Sequence, residues 1–290
     1  MTGFIVATDS AGDVPIELCR QYGVHPLLMS YSFADEEYVD TLERDQCSAF
    51  YDRMRAGEIP RTSQPNPTQF VAFWESIMEG DLPIVHICLG GGVSGTVQSG
   101  RIAVEMMREL HPQMKVYFID SGLESFAYGY FAIEAAKLAQ AGKSAEEAVA
   151  FLEREMPRAN AYFTTGDLSY LYRSGRLNRV GFAAAKALNI WPILRFDTVG
   201  HLLVHDKCRG KKATYARILE LVGETVEDAE QQTLYFVHTD CYEQAKELAE
   251  AVRARFGFRD TVGYCIGPTI GTHAGPGLMA VYFMGKPRFD

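Results

Sequence analysis

Short apolar runs rich in β-branched residues alternate with stretches of helical period along most of this chain, and that alternation constrains its fold more than any other feature. A strand that feeds a helix and then a second strand builds a βαβ unit, and such units assemble parallel sheets with helices on their faces. Apolar runs over 4–7, 25–33, 84–89 and 115–119 read as strands. Helical spacing over 15–22, 44–55, 67–79, 95–110, 125–140 and 145–155 supplies the crossovers. The breaker-rich stretch 57–67 reads as a connection.

The texture changes near residue 157. Short helices are expected over 168–172 and 183–188, on either side of the basic turn Arg-Ser-Gly-Arg. Runs over 193–196 and 201–206, separated by Asp197 to Gly200, read as a β-hairpin. A helix over 211–226, a strand over 234–239, a helix over 242–256 and strands over 261–266 and 278–284 follow. The fold class is therefore α/β, with a mostly parallel sheet in an N-terminal domain and an α+β C-terminal domain. The expected division is 1–158 and 159–290, a count of two that suits 290 residues at ~150 per domain.

Charge and cysteine usage narrow the function. The balance of 28 basic and 37 acidic side chains gives −9, which argues against a nucleic-acid binder needing a basic stripe for phosphates. The opening residues lack a basic stretch before an apolar core, and no apolar run approaches the ~20 residues that span a bilayer. The expected location is the cytoplasm, without stable membrane insertion. Cys19, Cys47, Cys88, Cys208, Cys241 and Cys265 form no Cys-x-x-Cys pair and do not cluster with histidine, so no metal site or redox motif is expected.

Three polar loops concentrate the candidate chemistry. Arg61-Thr62-Ser63-Gln64-Pro65-Asn66-Pro67 precedes a helix, so its hydroxyls either bind an anion or cap the helix. Gly90-Gly91-Gly92-Val93-Ser94-Gly95-Thr96 follows a strand and opens a helix. It satisfies G-x-G-x-x-G through Gly90, Gly92 and Gly95, with Asp120 ending the next strand, and so allows a dinucleotide site as well as an unliganded turn. The loop from Gly267 to Gly277 holds four glycines, two prolines and His273, either a structural imidazole or a donor to a carboxylate. His86, inside a strand, carries the same choice. The segments around Arg173 and Arg209 are the places where basic residues gather, either as solvated helix ends or as contacts for an anionic partner.

Taken together, these stretches resemble the DegV family. The matching motifs are ATDSAGD at 7–13, TSQP at 62–65, VSGT at 93–96, IDS at 119–121, YRSGR at 172–176, WPILRFD at 191–197, RGKKA at 209–213 and IGPTIGTHAGPG at 266–277. The resemblance implies a two-domain α/β fold holding one long-chain fatty acid, such as palmitate, stearate or oleate, between the domains. It also implies a non-catalytic subunit that presents the acyl carboxylate to an ATP-dependent bacterial fatty acid kinase, in service of phospholipid metabolism, with no cofactor of its own. Carried over, Thr62 and Ser94 become carboxylate-binding hydroxyls, with Ser63 and Gly95 beside them and His273 near the head group. Arg173 and Arg209 fall in segments associated with the kinase partner. Gly90 and Gly91 stand where the family usually has serines, and Asn66 replaces a common serine after TSQP. The competing reading from the residues is a nucleotide-dependent oxidoreductase built on Gly90, Gly92, Gly95 and Asp120.

Overall fold

The computed structural model describes residues 3–43, 46–177 and 190–288. Four strands, β1 (Ile5–Asp9), β2 (Val24–Leu27), β6 (Ile84–Cys88) and β7 (Val116–Asp120), form an all-parallel sheet in the order β2-β1-β6-β7. Every residue of β1 and β6 is buried, as expected of a parallel sheet covered on both faces. Successive side chains alternate between the two covers. Ile5, Ala7 and Ile84 pack with Phe70 and Trp74 of α3 (Pro67–Ile77) and Ala103 and Met107 of α4 (Thr96–Leu110). Val6, Val85 and Ile87 pack on the other side with α5 (Phe126–Gln140) and α6 (Ala145–Glu155).

His86 is a core residue. Trp74 Nε1 donates to its Nδ1 at 3.1 Å, and burial pushes its pKa down to about 3, so the imidazole is neutral.

A second sheet draws on the six strands found among the described residues from 159 onward. Its order is β10-β9-β8-β13-β11-β12, from β8 (Ala159–Thr164), β9 (Ile190–Phe196), β10 (Leu202–Arg209), β11 (Thr233–His238), β12 (Asp260–Cys265) and β13 (Met279–Met284). All neighbouring pairs are antiparallel except β11 with β12. One face packs against α8 (Lys211–Thr225) and α9 (Tyr242–Phe256) through Ile218, Leu221, Leu248 and Val252. The opposite face turns Phe163, Phe196 and Tyr282 toward the core shared with the first sheet. The β9–β10 hairpin forms where the sequence places it, with a register shift between Val204 and Asp206.

Other expectations need correction. The run 25–33 is not one strand: β2 ends at Leu27, and β3 (Ser30–Phe33) belongs to a separate antiparallel sheet, β4-β3-β5, with β4 (Glu36–Val39) and β5 (Pro60–Ser63). Between β2 and β3, Met29 N donates to Ser10 Oγ at 3.0 Å instead of to a neighbouring strand. The stretch 57–67 therefore contains a strand, with Pro60 at its first position, where a missing N–H is tolerated. Tyr31 and Phe33 of this small sheet pack on Phe50, Tyr51 and Met54 of α2 (Gln46–Arg55). Strand β8 carries no alternation because all six of its residues are buried. The glycine-rich segment after β12 contains a short helix, α10 (Pro268–Ala274). The remaining helices are α1 (Ile16–Tyr22) and α7 (Ser169–Arg173); the helix expected over 183–188 lies outside the described residues. Among the described residues, no helix is long and apolar enough to cross a membrane.

Candidate functional site: a cavity between two sheets

The three polar loops meet at one cavity. Thr62 comes from β5, Ser94 from the turn before α4 and His273 from α10, and all three line it. Its other walls are largely apolar, with Leu89, Phe163, Phe196, Leu202 and Leu278 among them. The empty volume is about 940 Å³ with its opening to solvent included.

His273 has a partner that no local reading of the chain supplies. Thr62 Oγ1 lies 2.9 Å from His273 Nε2, across 211 residues of sequence. Burial, helped by the positive charge of Arg176, pushes the His273 pKa down to about 4, so the ring is neutral near pH 7. A neutral imidazole and a hydroxyl hold two protons between them, and their mutual bond uses one. Whichever tautomer forms, the pair keeps one donor for an acceptor in the cavity. Ser94 Oγ and Thr96 Oγ1, 2.8 Å apart, repeat the arrangement and likewise keep one hydroxyl proton in reserve.

Buried acidic residues of the N-terminal half hold α10 in place. Asp13 accepts from Gly267 N at 2.7 Å and from the Ser125 hydroxyl. Asp40 accepts from Thr269 N at 3.1 Å and from Thr269 Oγ1 at 2.5 Å. Burial raises both carboxyls above the usual range, Asp40 to about 6. Asp9 accepts from Leu89 N and Ala11 N at 3.1 Å and from Tyr128 Oη at 2.6 Å, which ties β1 to the end of β6 and to α5. The ATDSAGD motif thus serves to seat the segments that carry Ser94 and His273.

The glycine loop is committed to packing. Gly90 N donates to Leu123 O and Gly92 N to Val199 O, both at 2.8 Å, and Gly91 N donates to Asp120 Oδ1 at 3.0 Å. A Cβ on Gly92 would lie 2.4 Å from His201 N, so the β9–β10 turn presses directly on this backbone. These amides and Asp120 bond one another and the hairpin, so nothing here favours the nucleotide-dependent oxidoreductase.

Other expected residues fall outside the cavity wall. Alternation along β5 turns Thr62 toward the cavity and leaves Ser63 exposed. Gly95 is exposed beside the Gln64 side chain and does not line the cavity. Asn66 caps α3, accepting from Gln69 N at 2.9 Å while Gln69 Oε1 accepts from Asn66 N. Arg173 is exposed over the Tyr170 ring at 4.7 Å, and Arg209 is exposed at the end of β10. Arg176, Glu124 and Tyr282 line the cavity and were missed. Only the second arginine of YRSGR carried a signal, since its turn had been singled out for its charge.

The chain as a whole has known relatives. The family model described as "Uncharacterised protein, DegV family" matches residues 4–286. The chain belongs to the DegV family. A DegV domain-containing protein of Clostridium perfringens is 30% identical over 289 residues, covering 99% of each chain. The solved structure of DegV from Bacillus subtilis, described as a fatty acid binding protein, shares 30% identity with a TM-score of 0.85, over 99% of this chain and 100% of that one. A DegV family protein from Thermus thermophilus, solved in a study of its fatty acid binding, matches at 26% identity and a TM-score of 0.87, over 98% and 99% of the two chains. The expected α/β fold, with a parallel sheet and a second sheet domain, is the fold these structures share.

Proposed function

We propose that this DegV protein binds one long-chain fatty acid, its carboxylate at Thr62, Ser94 and His273 and its acyl chain along the apolar wall between units 1–158 and 159–290. The observation that carries this reading is the meeting of the Thr62–His273 pair with Ser94 at the polar side of an otherwise largely apolar cavity. Neutral donors suit a carboxylate without a dedicated ion pair. Each buried methylene contributes about 0.8 kcal/mol, so a long chain binds tightly with no catalytic group. The DegV structures whose descriptions name fatty acid binding support the same ligand class.

The protein acts as a non-catalytic carrier in the cytoplasm and presents the bound carboxylate to an ATP-using fatty acid kinase. A chain of net charge −9 needs positive groups where such a partner approaches, and exposed Arg173 and Arg209 supply them. Solvent extraction and mass spectrometry of the purified protein are expected to return about one fatty acid per chain, in keeping with one cavity where the three polar loops meet. No extracted lipid and no uptake of added oleate would sink the reading. Arg173→Ala and Arg209→Ala are expected to keep fatty-acid binding and lower acyl-phosphate formation by a cognate kinase. Normal turnover in both would move the docking surface elsewhere.

A further inference from the structure

Among the described residues, two that line the cavity carry a side-chain atom sealed from solvent with no hydrogen-bond partner: His273 through Nδ1 and Glu124 through Oε1. His273 already bonds Thr62 through Nε2. Glu124 needs a partner of its own, because a buried carboxyl oxygen left unpaired is costly. Three neighbouring polar side chains are already committed. Ser125 donates to Asp13, Thr269 donates to Asp40, and Gln64 Nε2 donates to Ser99 Oγ at 3.4 Å. Arg176 lines the same cavity and acts on both Glu124 and His273 through its charge, but among the described residues no ion pair within 4.0 Å joins it to Glu124.

Burial raises the Glu124 carboxyl to about 8, against the pull of Arg176. Near neutral pH it is an uncharged acid, able to donate one hydrogen bond and to accept another. An alkyl chain laid against it supplies neither bond. A hydroxyl does both things the acid requires, accepting its proton and donating to its free oxygen.

We propose that this cavity selects fatty acids bearing a hydroxyl on the acyl chain, and that Glu124 is the residue that reads that hydroxyl. The proposal rests on the fatty-acid reading above and specifies its ligand class. Sites built to hydrogen-bond a hydroxyl reject the analogue that lacks it far more strongly than apolar pockets reject an extra methylene.

The test is a titration of the delipidated full chain with stearate and with hydroxystearates carrying the hydroxyl at different places along the chain. At least one isomer is expected to bind about tenfold or more tightly than stearate, the order of one net hydrogen bond. In Glu124→Leu that preference is expected to vanish while stearate binds as well or better. Glu124→Gln, which keeps a donor and an acceptor at nearly the same size, is expected to retain most of it. The proposal is overturned if no isomer outcompetes stearate, or if Glu124→Leu leaves the preference intact. It is equally overturned if Glu124→Leu weakens stearate and every hydroxystearate alike, which would put Glu124 on the ligand's own carboxylate. Tight stearate binding without preference sinks this proposal alone, whereas failure of every fatty acid to bind sinks the underlying reading too.

Discussion

At the scale of single residues, the site works by leaving a few protons unspent. Thr62 with His273, and Ser94 with Thr96, each hold one donor in reserve within a largely apolar wall. Replacing Thr62 or Ser94 by Ala is expected to weaken fatty-acid binding by ~1.5–3 kcal/mol, the usual worth of a hydrogen bond to a charged group. Isothermal titration of the delipidated protein measures this, and unchanged affinity in the double variant would place the carboxylate elsewhere. Glu124 gives the site a pH dependence. Its carboxyl is protonated below about 8 and ionises above it, while His273, near 4, stays neutral throughout that range. Arg176 opposes the effect with positive charge, while burial raises the Asp13 carboxyl and the Tyr282 hydroxyl as well. An ionised Glu124 repels the ligand carboxylate, so affinity is expected to hold below pH 8 and fall above it. Glu124→Gln is expected to flatten that fall in a binding titration against pH.

At the scale of elements, neighbouring residues of one motif divide between structure and binding. In Thr62-Ser63-Gln64-Pro65-Asn66, the strand points Thr62 inward while Asn66 closes a capping box on α3. Asn66→Ala is therefore expected to lower stability by about 0.5–2 kcal/mol, the worth of an N-cap, without changing fatty-acid affinity. Thr62→Ala is expected to show the opposite pattern, and urea unfolding beside ligand titration separates the two. The helix start does explain the polar loop, but through Asn66 rather than through the hydroxyls.

At the scale of the whole molecule, the two large sheets are joined where the β9–β10 turn rests on the glycine loop. Gly92 N donates to Val199 O, and a Cβ at Gly92 would stand 2.4 Å from His201 N and 2.6 Å from Gly200 C. These are backbone atoms, so relief requires the hairpin itself to move. Gly92→Ala is expected to destabilise the protein by ~1–3 kcal/mol, typical of overpacking, and to speed release of the bound fatty acid. Chemical denaturation and a lipid-transfer rate would check both parts. Gly90 answers a different contact, since a Cβ there would stand 2.9 Å from Leu123 N and 3.0 Å from Gly122 C in the loop after β7.

The parallel sheet was legible in the chain because β1, β6 and β7 are local apolar runs separated by amphipathic helices, and that pattern needs no distant partner to be read. The β9–β10 hairpin was legible for the same reason, its turn and both strands lying within twenty residues. Thr62, Ser94 and His273 were marked by motif. Their meeting was not: 211 residues separate Thr62 from the imidazole it bonds, and only packed sheets close that distance. Strand β8 escaped notice because burial on both faces erases alternation, and β5 because Pro60 reads as a breaker when its strand partner is out of sight. Glu124 shows the limit most plainly. A glutamate before a helix is ordinary in a sequence, and only the fold places it in a cavity wall, away from water, where its pKa and its missing partner acquire meaning. Local chemistry is written residue by residue, but desolvation belongs to the assembled molecule.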